Sequence, residues 1–307
     1  MISFRYHVVS LVAVLLALAA GVALGGGPLS EIGRGSADAA TERAEDRGDQ
    51  LTRRLDQADS TVEFNDEFAR LAASRVVQGS LGQRPVALVT LPGADKAVVE
   101  SLTEFIQQAG GSVSGQYAVQ PALIDGADKS LVDTLGTQLL ETVKNTGIPA
   151  NATTYDRMGQ LIGRAIATVE DAGTPSDTGA TDILSSLKGA ELMNRTEGGN
   201  ALGSLAIVVL GDEPEDPRDA DQILGGLFAG LATQTDGVVV AGTTASATDG
   251  VLAQLRDEVA FTGNVSTVDS VQSAAGRVTA VLALAADMRD ATGHYGALGI
   301  DGATPRG

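Results

Sequence analysis

The chain has no cysteine and no tryptophan. Disulfides, thiolate nucleophiles, iron-sulfur clusters and cysteine-ligated zinc are therefore excluded. Two histidines, His7 and His294, are too few for a centre built from several imidazoles. Aromatic residues make up 3%, which removes the stacking platforms that single-strand and sugar binders use. Basic residues are scarce as well: 21 Lys and Arg stand against 39 Asp and Glu in 307 residues, a formal charge of -18. Phosphate backbones are repelled by that sign, so no nucleic-acid partner is expected.

Small and apolar residues are plentiful, with 43% hydrophobic residues and 38 Gly. The content supports a real core, and the size of the residues implies closely spaced elements. From Val8 to Gly25 the sequence VVSLVAVLLALAAGVALG carries no charge. As a helix at about 1.5 Å per residue it spans roughly 27 Å, close to a bilayer core. Arg5 precedes this run and Glu31 and Arg34 follow it, which puts the N-terminus in the cytoplasm and the bulk outside. Residues 1–30 are therefore expected to be a single-pass inner-membrane anchor with Val8, Leu11, Leu15, Leu18 and Val22 in the bilayer. A cleaved signal with Ala17-Leu18-Ala19 as its small-residue motif is the alternative, but that cut falls inside the apolar run.

Residues 31–78 hold 11 acidic and 7 basic side chains and no Pro. Ala37, Ala44, Leu51, Leu55, Ala58, Val62, Ala69, Ala72 and Val76 recur at steps of three, four or seven, with Thr41, Gly48 and Asn65 in the gaps. This is a heptad-like seam, and it predicts a coiled coil. Phe64, Phe68 and Leu71 add a second stripe, so the expected interface is Leu51, Leu55, Val62, Phe64, Phe68 and Leu71. Asp49 with Arg53 and Asp66 with Arg70 are spaced for i, i+4 ion pairs. The competing reading is a long helix packed on its own globular domain. Either way the segment projects or pairs, with a protein partner or a second copy of the chain.

From residue 79 to 307 short apolar runs alternate with helical periodicity. Val86–Leu91, Ser112–Val119, Leu205–Leu210, Val238–Ala241 and Val265–Val268 read as strands. Between and after them, Ala94–Ala109, Ala220–Thr233, Gly250–Glu258 and Ser273–Met288 read as helices. The fold class is thus α/β, a Rossmann-like and mostly parallel sheet covered on both faces. Residues 125–196 interrupt the alternation as a helical insertion, with helices at Lys129–Asn145, Tyr155–Asp171 and Thr181–Asn194.

Four places in this domain invite chemistry, and each has a plain structural reading beside it. Leu91-Pro92-Gly93-Ala94-Asp95 sits where a dinucleotide fold carries its glycine fingerprint, yet it has one Gly and a Pro, which suits a turn with Asp95 at a helix start. Gly242-Thr243-Thr244-Ala245-Ser246 follows a strand and has amides for an anion, but the domain holds 13 basic against 28 acidic residues and the loop suits capping. Gly211 to Asp221 packs six carboxylates into eleven residues, Asp212 and Glu213 among them, a composition for a hard cation or a basic partner. The spacing matches no calcium loop, and a solvated loop with Asp219 capping the next helix explains it as well. His294, in Gly293-His294-Tyr295-Gly296, is the one histidine outside the anchor, and no G-x-S-x-G elbow supplies it with a nucleophile. No catalytic residue, cofactor or metal site is expected.

The opening Met1-Ile-Ser-Phe-Arg-Tyr-His-Val-Val-Ser-Leu-Val-Ala-Val14, the charged coil, Arg84-Pro-Val-Ala-Leu-Val-Thr-Leu-Pro-Gly-Ala-Asp95 and the Gly-His-Tyr-Gly end resemble the MctB/SteB family of actinobacteria. The resemblance covers essentially the whole chain. It implies one of two roles: copper transport or copper homeostasis in the cell envelope or outer membrane, or, as in the SteB branch, cell separation with a SteA-like partner and a peptidoglycan hydrolase. Copper favours Cys, Met and His ligands, and beyond the anchor and its start the chain has one His and three Met, Met158, Met193 and Met288. An outer-membrane barrel needs many alternating strands of about ten residues, a pattern the sequence lacks. The residues thus favour a non-enzymatic, membrane-anchored coiled-coil adaptor, with copper handling as the alternative.

Overall fold

The computed structural model describes residues 11–21, 28–144, 146–170, 172–213, 220–258 and 263–306, with the side chains of 28–42, 44 and 221 excepted. Two units meet between Asn65 and Asp66. In the first, residues 11–21 are helical and carry exposed Leu11, Leu15 and Leu18, whereas Val8 and Val22 of the expected anchor lie outside the described residues. Among the described residues no helix is long and apolar enough to cross a membrane. The helix Pro28–Val77, here α1, begins in this unit and ends in the second.

The second unit is built on a seven-stranded sheet. Its strands are β1 (Pro85–Thr90), β2 (Ser112–Val119), β3 (Met193–Gly198), β4 (Leu205–Val209), β5 (Val238–Ala241), β6 (Ser266–Val268) and β7 (His294–Tyr295), in the order β3-β2-β1-β4-β5-β6-β7. Every neighbouring pair is parallel except β2 and β3. The run from β3 through β6 has the strand order of doubly wound dinucleotide folds. The sheet is open, with β3 and β7 as its edges.

Strand residues alternate between two apolar layers, which explains why the central strands read as uninterrupted hydrophobic runs. Val86, Leu88, Leu205, Ile207, Val209 and Val239 pack with α2 (Lys96–Gln108) and α10 (Ala274–Asp287). Ala87, Val89, Ala206, Val208, Val238 and Val240 pack on the other side with α5 (Thr154–Ile166) and α7 (Ala220–Ala232). Those two helices touch through their backbones: a Cβ on Gly159 would lie 2.1 Å from the Leu227 carbonyl oxygen, and one on Gly230 would lie 2.3 Å from that of Asp156. Abundant glycine thus becomes close helix packing, as the composition implies.

Between β2 and β3 the chain forms α3 (Pro121–Ile124), a 3₁₀ turn, α4 (Lys129–Thr142), α5 and α6 (Thr178–Gly189). The expected helix over Thr181–Asn194 is corrected here. α6 stops at Gly189 because Glu191 turns into the left-handed region at φ 56 and the Leu192 amide reaches back to the Leu187 carbonyl at 2.9 Å, a Schellman closure. Met193–Gly198 then runs antiparallel to β2 as an edge strand, its outer residues polar, which blunts the open edge. The helix expected over Tyr155–Asp171 likewise ends at Ile166, where Ala167 bridges to Gly203. The remaining helices are α8 (Thr244–Thr248) and α9 (Val251–Asp257).

The last turns of α1 belong to the second unit and are packed on it. Ala73 and Val77 are buried with α2 and α10, and Ala69 is half-buried against them. The Asp66 carboxylate accepts a hydrogen bond from the Ala274 amide at the start of α10, while Ser273 Oγ accepts from Gly276 at 3.1 Å. The expected i, i+4 pairs do not form among the described residues: Asp66 is spent on this cap, Arg70 pairs with Glu67 at 2.7 Å, and Asp49 and Arg53 stay apart in solvent. Two carboxylates on one helix therefore differ in worth. Asp66→Ala should cost about 1 kcal/mol in urea unfolding of the purified chain, as loss of an N-terminal cap does. Glu63→Ala, on exposed helix, should cost under about 0.5 kcal/mol; equal losses would refute the cap.

Candidate functional site

In an open parallel sheet the ligand crevice lies at the carboxyl ends of the strands where the strand order reverses, here between β1 and β4. The turns that follow these strands meet each other. Leu91 donates to the Val209 carbonyl at 3.0 Å and Asp212 donates to the Pro92 carbonyl at 3.0 Å. A Cβ on Gly211 would sit 1.8 Å from Pro92 O, and one on Gly93, whose φ is +80, would sit 2.1 Å from Asp212 Oδ2. Both glycines are required by that approach. Backbone thus closes the gap between these two turns, and the space left beside it, among Leu91, Leu210, Leu224 and Val251, is about 20 Å³, room for about one water. Asp95 caps α2 by accepting from Ala97 at 2.8 Å.

The other loops of this edge are also engaged internally. Thr243 Oγ1 accepts from the Ser246 amide at 3.1 Å, and the Thr244 hydroxyl bonds Ser270 Oγ at 2.9 Å and accepts from Gln272 at 2.9 Å. Glu213 Oε2 accepts from Val251 at 2.9 Å and caps α9. Of the acidic loop, residues 214–219 lie outside the described residues and so does the Asp221 side chain; the Glu213 carboxylate is used on α9, and Asp212 joins the β1 turn through its backbone amide. Among the described residues no group of three or more His, Asp and Glu is placed to hold a metal ion. An open groove of about 720 Å³ runs beside β1, β2 and α2 past Thr90, Lys96, Glu100, Gln116 and Gln120. Its Gln side chains are tied to Glu197 at 3.2 Å and to the Ala118 carbonyl at 3.2 Å.

Past β6 lies a buried ion pair that the sequence reading missed. Asp269 is 0% exposed and accepts from Ser270 Oγ at 2.6 Å, Ala297 N at 2.7 Å, Leu298 N at 3.1 Å and Arg256 Nη1 and Nη2 at 3.2 Å. Arg256 also donates to Thr267 Oγ1 at 2.8 Å and to the Tyr295 carbonyl at 3.0 Å. Thr267 Oγ1 also shares a hydrogen bond with His294 Nδ1 at 3.0 Å, so this ring nitrogen is engaged inside the fold. Burial, then the nearby Arg256 charge, hold the His294 pKa below the ordinary histidine value, with Asp301 opposing them. The Gly-His-Tyr-Gly segment is tied to the sheet through Asp269 and the β6–β7 pairing. One signal was available: Asp269 is a carboxylate immediately after an apolar strand.

On α1 the six residues of the expected coil interface, Leu51, Leu55, Val62, Phe64, Phe68 and Leu71, are each between 60% and 70% exposed. In the second unit Phe68 and Leu71 point away from Asp66, Ala69, Ala73 and Val77, the face that packs on α2 and α10.

The family description "Copper transport outer membrane protein, MctB" matches residues 1–305. The chain belongs to the MctB family. Similar proteins include "Copper transporter MctB" of Mycobacterium leprae (strain TN), 28% identical over 98% of this chain and 96% of that one. The protein of the same name from Mycobacterium tuberculosis (strain ATCC 25618 / H37Rv) is 27% identical over 96% of both chains, as is that of Mycobacterium bovis (strain ATCC BAA-935 / AF2122/97).

In this member of the MctB family the soft ligands are dispersed. Met158 on α5 and Met193 on β3 are buried in the layer shared with α7, and Met288 packs in the opposite layer beyond α10. His294 has its Nδ1 occupied. A more unusual group is Asp287 at the end of α10, buried with Oδ2 unpartnered and Oδ1 accepting from Ser266 Oγ at 2.5 Å. Burial pushes its carboxyl up to about 7, against the pull of the Ser266 bond. A folded value raised from 3.8 to about 7 stabilises the chain while both states are protonated, and that contribution is lost as pH rises towards and through 7. The thermal stability of Asp287→Asn relative to the parent should therefore climb from pH 5 to pH 8, by about 2 kcal/mol. A difference independent of pH would show that Asp287 stays ionised.

Proposed function

We propose that this chain serves copper handling in the cell envelope, and that it does so as a binding module without enzymatic activity. The observation that carries this reading is the match to the MctB family over residues 1–305 together with relatives named as copper transporters. Its form is set by the chain's own chemistry. With no Cys in the sequence and the Met residues split between the two layers of the sheet, a soft-metal centre of thiolates or clustered thioethers is not built here. Copper is then passed or sensed through a partner protein. The charge-free run over residues 8–25, with Arg5 before it, favours an inner-membrane anchor with the α/β unit outside.

Deleting the gene should lower the copper concentration that halves growth several-fold, while the purified chain retains less than one copper per chain after dialysis. Unchanged copper tolerance would overturn the reading. One stoichiometric, tightly held copper would instead overturn its restriction to a partner-dependent role.

A second reading is favoured by a specific observation, the apolar residues that α1 leaves in water. On it the chain is an envelope adaptor that meets a SteA-like protein and promotes a peptidoglycan hydrolase during cell separation. Phe68→Glu with Leu71→Glu should then leave cells joined after division without loss of the folded unit, since that face carries none of the internal packing. Normal separation in that variant would count against the adaptor.

A further inference from the structure

The seam of α1 sorts its flanking charges. Taking Gly48, Leu55 and Val62 as the a positions and Leu51, Ala58 and Asn65 as the d positions of a heptad, the e positions are Glu45, Thr52 and Asp59 and the g positions are Arg47, Arg54 and Thr61. Acids stand only at e and bases only at g. Among the described residues none of Glu45, Asp59, Arg47 and Arg54 makes an ion pair or side-chain hydrogen bond within its own chain. Leu51, Leu55 and Val62 lie between those two charged rows and stay more than half exposed, which forgoes about 1.5–3 kcal/mol for each side chain left in water.

We propose that residues 44–65 of α1 pair with the same segment of a second copy in a parallel, in-register coiled coil. Charge complementarity selects both the occupant and its direction. In a parallel pair each g residue faces the e residue of the partner's next heptad, so Arg54 meets Asp59 and Arg47 meets Thr52 across the seam, twice by symmetry. An antiparallel pair sets e against e and g against g, placing acids beside acids and bases beside bases. Leu51 at d with Val62 at a is the pattern of two-stranded coils. The seam stops where the second unit begins, because Asp66, the next e residue, is committed to the cap of α10. The pairing rests on neither the copper reading nor the adaptor reading.

Absence of native cysteine makes the test clean. Leu51→Cys, Leu55→Cys and Val62→Cys are made singly in the full chain, with Ser60→Cys, at the outward f position, as the control. Intact cells are treated with a short bismaleimide. All three seam variants should give a product of twice the chain mass, and the control should give less than about a tenth as much, since f positions of a parallel pair point apart. Arg54→Asp should reduce the Leu51→Cys product several-fold, and adding Asp59→Arg should restore it. Cross-linking at only one seam site would mean an antiparallel pair and would overturn the proposal. So would cross-linking at none, a product of another mass, or a yield that ignores Arg54→Asp.

Discussion

Backbone touches backbone where the turns after β1 and β4 meet, and the use of the sheet follows from that contact. Gly93 and Gly211 let Pro92 and Asp212 come together. The gap between the β1 and β4 turns, where the strand order reverses, is thereby closed by backbone, while the groove beside β1, β2 and α2 stays open on the other side of the Pro92–Gly93 turn. The described residues that follow β4, β5 and β6 are engaged internally as well, through Glu213, Thr243, Thr244 and Asp269, whose side chains cap helices or tie neighbouring segments. Between β1 and β4 this edge is joined by its own backbone, and α1 leaves large apolar residues in water.

The acidity of the chain fits this division. Most of the charge lies in the α/β unit, with 13 basic against 28 acidic residues from position 79 onwards. Several of the cations there are paired within the unit: Arg256 with Asp269, Arg157 with Asp133, Arg84 with Asp236 and Arg164 with Asp177. Arg256 illustrates the physical logic. A buried guanidinium is costly alone, and it is tolerated because Asp269, Thr267 and two carbonyls use its donors. What the pair holds in place is the last strand and the segment after it. The Gly-His-Tyr-Gly end is thus a structural clasp, with His294 Nδ1 held by Thr267.

Much of the fold was legible because the central strands are buried on both faces and so have no polar alternation to confuse them. β2 and β5 were read with their observed ends, and the helices between strands to within a few residues. β3 was hidden because Met193-Asn-Arg-Thr-Glu-Gly198 is an edge strand with its outer surface in water, and β7 because two residues make no pattern. The candidate site was legible as turns and not as a site. Gly93 and Gly211 were visible in the sequence, but their contact spans more than a hundred residues, as does the reach of Asp66 to α10. Arg256 and Asp269 went unread, since pairing in space leaves no mark on spacing.

Closure of the gap between the β1 and β4 turns is open to direct measurement by thermal unfolding of the purified chain with dinucleotides and nucleoside triphosphates at millimolar concentration. A ligand present at a hundred times its Kd would stabilise the fold by about 2.7 kcal/mol, enough to move the midpoint by several degrees. With the β1 and β4 turns in contact, the midpoint should stay within about 1 °C of the ligand-free value, which corresponds to negligible linkage. A saturable rise with any of these nucleotides that Lys96→Glu in the neighbouring groove leaves intact would mean that the two turns separate to admit a phosphate, and would contradict the account.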